Sequence, residues 1–193
     1  MKETEITVQV FETLPEIQEK LKSQNFEIVE NYQLIDYYFS KYSLSKIKSM
    51  SYAQLIKNSF LVRKIVDDKP HFKLCFKDKT LDKQGNVILE EKIVSNITEV
   101  ENAVKIFEKA NLTKWCFCFN NTFVYKKDTI CFALQIIDNL GIFIEYEEDE
   151  TMNNLDTQEK RNLMKTNLQN LGLNLGNDYS CKKVFMLLHN TKE

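Results

Sequence analysis

Lys2-Glu3-Thr4-Glu5-Ile6-Thr7-Val8-Gln9-Val10 decides the fold. Extended chain puts alternate side chains on opposite faces, so Glu3, Glu5, Thr7 and Gln9 share one face while Ile6, Val8 and Val10 line the other. Two carboxylates then point the same way, roughly 7 Å apart, and repel by about 2 kcal/mol at an effective dielectric near 20. Water on that face would relieve them, and so would a cation, a proton or an interior base. A solvated strand face is the simpler reading of any one such stretch. Later segments repeat the pattern.

Working outward, Thr13-Leu14-Pro15-Glu16 reads as a capping box that opens a helix carrying Ile17 and Leu21 inward and ending near Asn25. Phe26 to Val29 and Tyr32 to Phe39 read as a strand pair, and Ser51-Tyr52-Ala53-Gln54 starts a short helix reaching about Lys57. Phe60 to Val66 and His71 to Lys77 form a hairpin around Asp67-Asp68-Lys69-Pro70, with Lys73, Cys75 and Lys77 opposite Phe72, Leu74 and Phe76. Gly85-Asn86 turns into a strand from Val87 to Val94, and a helix follows from Thr98 to near Asn111. Lys114 to Tyr125 and Thr129 to Ile137 make a second hairpin. Asn139-Leu140-Gly141 then leads into Ile142-Phe143-Ile144-Glu145-Tyr146-Glu147, where Glu145 and Glu147 share a face as Glu3 and Glu5 do. Asp156 opens a helix that stops at Gly172, and Asp178 to His189 reads as a last one.

These elements predict an α+β domain spanning 1–193, with a barrel core over about 1–150 and C-terminal helices over about 155–190. About eight antiparallel strands would form a closed or nearly closed, tunnel-like β-barrel, charged inside and apolar outside under flanking helices.

Composition narrows the function. The chain has 193 residues and a formal net charge of −2, with acids and bases mixed along it, which speaks against nucleic-acid and membrane-surface partners while leaving room for an interior basic site. It shows neither a signal-peptide core nor a run long enough to span a bilayer, so a cytoplasmic protein is expected. Four glycines form neither common phosphate loop, and two histidines make a His/Cys zinc site improbable.

The acidic first strand, Gln33-Leu34-Ile35-Asp36-Tyr37-Tyr38-Phe39 and Leu140-Gly141-Ile142-Phe143-Ile144-Glu145-Tyr146-Glu147 together resemble the CYTH superfamily of triphosphate tunnel metalloenzymes, which includes class IV adenylyl cyclases and thiamine triphosphatases. The likeness runs from Glu3 to about Glu147, with a looser echo at Asp178-Tyr179-Ser180. It implies a divalent Mg²⁺ or Mn²⁺ held by Glu3, Glu5, Glu145 and Glu147, with Glu91 secondary. It also implies an organic triphosphate, or another phosphorylated metabolite, gripped by Arg63, Lys77 and Lys114, with Lys73 on the Lys77 face. The implied activity is that of a triphosphatase or adenylyl cyclase. The alternative is a catalytically degenerate binding protein on the same scaffold, because Thr7, Leu61, Leu89 and Cys116 stand where the family carries basic residues and Gln135 where it has an aspartate. A structural or partner-binding domain is a third class, and the oligomeric state is open.

The five cysteines, Cys75, Cys116, Cys118, Cys131 and Cys181, are odd in number and lack CxxC spacing, so they read as free thiols. Thiol titration of the protein denatured without reductant should return five equivalents. A count of one would mean two disulfides.

Overall fold

The computed structural model describes residues 4–81 and 87–190, and of 77–81, 87–90 and 92 the backbone alone. The eight strands are β1 (Glu5–Val10), β2 (Glu27–Ser40), β3 (Phe60–Val66), β4 (His71–Leu81), β5 (Val87–Ile97), β6 (Thr113–Lys127), β7 (Ile130–Ile137) and β8 (Gly141–Glu147). They form one antiparallel sheet in the order β1-β8-β7-β6-β2-β3-β4-β5. Among the described residues no ladder joins the terminal strands β1 and β5, so the order is open. Helices flank the sheet: α1 (Leu14–Ser23), α2 (Leu44–Lys48), α3 (Tyr52–Ile56), α4 (Val100–Lys109), α5 (Thr157–Gln169) and α6 (Lys183–Asn190). No described helix is long and apolar enough to cross a membrane.

The residues divide into two compact units, one of residues 1–2, 32–120 and 182–193, the other of 3–31 and 121–181. The division cuts β2 between Asn31 and Tyr32 and β6 between Asn120 and Asn121. It also sorts the charge. The first unit holds 19 Lys and Arg against 11 Asp and Glu, and the second holds 7 against 17. Acids and bases that alternate along the chain are thus segregated by the fold, into a basic and an acidic unit.

In the acidic unit, β1 and β8 pair with Val8 opposite Ile144 and Ile6 opposite Tyr146, and β7 adds Leu134 opposite Ile144. These side chains meet Ile17 and Leu21 of α1 and Met164 and Leu168 of α5 in one buried cluster, as the alternation requires. Glu16 accepts hydrogen bonds from the Thr13 backbone N–H (2.8 Å) and hydroxyl (2.6 Å), starting α1, and the Asp156 carboxylate accepts from the N–H groups of Gln158 and Glu159 to start α5. Asn139 (φ 61°) and Gly141 (φ 113°) make the tight entry to β8, and a β-branched residue at either position would be strained. The stretch from Asp178, expected to be helical, instead straps the outer edge of β1. The Thr7 N–H donates to the Tyr179 carbonyl, the Cys181 N–H to the Thr7 carbonyl, and the Gly176 N–H to the Gln9 carbonyl, so the last helix begins only at Lys183. The edge of β1 is therefore satisfied by its own chain.

In the basic unit, α4 packs Val100, Val104 and Phe107 on the face carrying Phe39, Val62, Phe72 and Leu74. The opposite face departs from the expected charged interior. Ile47 of α2, Leu55 of α3 and Val184, Phe185 and Leu188 of α6 cluster with Tyr38, Trp115 and Cys116, and Tyr38 is in phase with Asp36. Sequence reading also split β2, which runs unbroken through Glu30 and Asn31 because no glycine or proline interrupts it, and it missed α2.

Ile144 is fully buried, whereas Ile93 on the terminal strand is 62 % exposed. Truncating Ile144 to alanine should cost about 2–5 kcal/mol in urea unfolding, and Ile93→Ala less than about 0.5 kcal/mol.

Candidate functional site

In the acidic unit the register sets Glu5 opposite Glu147 and Thr7 opposite Glu145. The three glutamates therefore share a face, and each offers a carboxylate oxygen within 4.8 Å of the others. Glu5 and Glu147 are exposed and Glu145 is half-buried. At that spacing each pair repels by about 0.9 kcal/mol at the dielectric of water and by about 3.5 kcal/mol at 20. Beside them, Thr7 and Gln135 are buried, as is Thr122 on β6. Next to the strand end, burial would raise the Glu148 carboxyl, but hydrogen bonds from Thr4 and the ammonium of Lys160, 3.0 Å away, hold it below its ordinary value. Burial, opposed by Lys126 and reinforced by Glu30, Asp149 and Glu147, raises the Cys131 thiol above its ordinary value.

In the basic unit the ladder aligns Asp36, Arg63, Lys73 and Asn96 across β2, β3, β4 and β5. Arg63 donates to both oxygens of Asp36, Nε at 2.7 Å and an Nη at 2.6 Å, and the Asp36 side chain is 6 % exposed. Burial alone would lower the basicity of the guanidinium. Asp36 more than offsets this, through its charge and its hydrogen bonds, and holds the guanidinium above its ordinary value. Burial, and after it the Asp36 charge, raises the Tyr38 phenol well above its ordinary value. The Cys116 thiol is pushed up to about 12 by burial, with Cys118 and Asp36 adding. Leu61 and Cys75 are buried opposite each other on the same face.

The structure thus brings together Glu5, Glu145 and Glu147, and separately Arg63 and Lys73 with Asp36. Glu3 lies outside the described residues. Lys77 is opposite Lys92, in phase with Lys73, and its side chain is not described. Lys114 is exposed, with its ammonium 3.9 Å from Glu108 on α4. Glu91 falls opposite Asp78, one residue out of phase with Lys77 and Lys73, on the face that carries Phe72 and Leu74. Reading Arg63 as a phosphate ligand missed its counterion. Two helices separate β2 from β3 in sequence, so their register could not be read.

No family model matches the sequence, and no curated protein does. Solved structures do. A Pyrococcus horikoshii protein aligns with a TM-score of 0.66 at 15% identity, over 96% of this chain and 99% of its own. An adenylate cyclase candidate of Vibrio parahaemolyticus aligns at 0.60 and 16% identity, over 95% and 97%. A protein of Hippeastrum, described as an adenylyl cyclase candidate with a dominant triphosphatase activity, aligns at 0.61 and 13% identity, over 100% and 97%. The chain has a CYTH-like fold.

Asp36→Asn strands a buried guanidinium and should cost about 3–5 kcal/mol in urea unfolding. Replacing both partners, with Asp36→Leu and Arg63→Met, should recover most of that loss.

Proposed function

We propose that the chain binds an organic triphosphate together with a divalent cation held by Glu5, Glu145 and Glu147, and acts on it as a triphosphatase or adenylyl cyclase-type enzyme. The observation that carries this is the three-carboxylate cluster on β1 and β8. Its donor set fits Mg²⁺ or Mn²⁺, because both prefer hard oxygen ligands and ligand oxygens of an octahedral ion at about 2.1 Å stand about 3 to 4.2 Å apart, within reach of the spacing here. Glu3, two residues before Glu5 in sequence, is the proposed fourth carboxylate. When bound, the cation supplies neutralisation of phosphate charge and orientation of the attacking group.

The substrate class comes from the adenylate cyclase and triphosphatase descriptions of the similar structures. The net positive charge of the basic unit suits a polyphosphate, with Lys73 and Lys77 on the face that also carries Arg63. Lys114 is given no phosphate role because it faces Glu108, and Glu91 no metal role because of its phase.

A second reading, a catalytically degenerate binder, is favoured by a specific observation. Arg63 is committed to Asp36, while Thr7 and Leu61 are buried and neutral where the resembling family has cations. Each lost charge-assisted hydrogen bond to phosphate removes about 1.5–3 kcal/mol.

Calorimetry separates these outcomes. Mn²⁺ should bind the wild type and bind a Glu145→Gln/Glu147→Gln variant at least tenfold more weakly, and inorganic triphosphate or ATP should bind only with Mn²⁺ present. Release of phosphate or pyrophosphate would establish the enzyme, and binding without release the degenerate reading. Tight metal-free triphosphate binding, unchanged in the variant, would refute the site.

A further inference from the structure

Between Asp36 and Asp67 the chain has no acidic residue, and it has none between Asp178 and Glu193. These two stretches contain α2, α3 and α6, and Ile47, Leu55, Val184, Phe185 and Leu188 of those helices pack with Met50, between α2 and α3, into one cluster within the basic unit. On or beside those helices lie Lys41, Lys46, Lys48, Lys57, Lys182 and Lys183. Lys41, Lys46 and Lys57 are exposed and the others half-buried. The net charge of −2 concealed this surface, because these two stretches hold no acid and the excess of acids lies in the other unit.

Rings are interleaved with these cations. Lys41 lies over the Tyr42 ring and Lys182 over the Tyr52 ring, each 5.2 Å from the centroid. Tyr52 meets Phe185 edge-on at 6.1 Å, and Phe185 packs against His189 at 4.4 Å, giving a connected series that ends on an exposed imidazole. We propose that this α2–α3–α6 surface binds single-stranded nucleic acid, the lysines tracking phosphates and the exposed His189 ring, held in place by Phe185 and Tyr52, offering a face to a base. Cations alone would suit any polyanion, but alternating cations and rings match a strand that carries both phosphates and bases. An acidic membrane fits less well, because Leu44 is the one exposed large hydrophobic among the described residues of these helices, so no apolar face is there to insert. The proposal rests on neither the carboxylate cluster nor triphosphate binding.

Fluorescence anisotropy of the full chain with a labelled mixed-sequence RNA, about 12 nucleotides long to match a single-module site, tests it. Binding should be micromolar at low salt, with a log–log salt slope of about −0.7 per phosphate engaged, hence between about −2 and −4. Lys46→Glu/Lys57→Glu should weaken it at least tenfold and His189→Ala about fivefold or more, with melting temperatures and Mn²⁺ binding unchanged. An abasic strand of equal length should bind at least fivefold more weakly than the RNA. The proposal is overturned if the RNA does not bind at low salt, if the abasic strand binds equally well, or if the variants bind as the wild type does. It is also overturned if acidic phospholipid vesicles bind where the RNA does not, or if the lysine variant only abolishes salt-sensitive self-association.

Discussion

The antiparallel register of β1 on β8 is the constraint from which the functional reading follows. Once Val8 is opposite Ile144, the period of two sends Ile6, Val8, Ile144 and Tyr146 into the core with α1 and α5, and it leaves Glu5, Glu145 and Glu147 together on the other face. A slip of one residue would bury the carboxylates and expose the core. The repulsion within the cluster is therefore sustained by burial on the reverse of the same strands. The strap from Asn174 to Cys181 holds β1 from its other edge, so the strand that presents Glu5 is hydrogen-bonded on both sides.

The basic unit follows a different logic. Its ion pair is buried and bidentate, so Arg63 and Asp36 cancel locally and contribute specificity of pairing between β2 and β3 more than free charge. The unit's excess of cations comes from elsewhere, including the acid-free helices on its surface. Two cationic features with different physical characters thus share one unit, a sheet face on which one cation is neutralised and a helical surface whose own segments hold no acid.

Much of this was legible in the sequence. Thr13 to Glu16, Asp156 to Glu159 and Gly141 mark their boundaries through local hydrogen bonding and backbone conformation, and the alternation set Glu5 on the polar side of one strand and Glu145 with Glu147 on the polar side of another, whereas their common face required the β1–β8 register. What was hidden depended on long-range partners. The strap at 178–181 carries a helix-like polar start, and its strand-edge bonding to Thr7 comes from residues some 170 positions away. The Asp36–Arg63 pair, 27 residues apart, spans two helices, and the sorting of charge appears only when 32–120 and 182–193 are counted together. Reading the polar faces as a continuous charged interior failed in the basic unit, where tertiary packing of α6 on Tyr38 overrode the phase argument.

The central claim is that Glu5, Glu145 and Glu147 form a divalent-cation site. The most direct measurement is anomalous diffraction from crystals grown with Mn²⁺. The account predicts one peak about 2.0 to 2.3 Å from an oxygen of each of the three carboxylates. Crystals at millimolar Mn²⁺ with no peak there, or with the ion bound elsewhere, would contradict it.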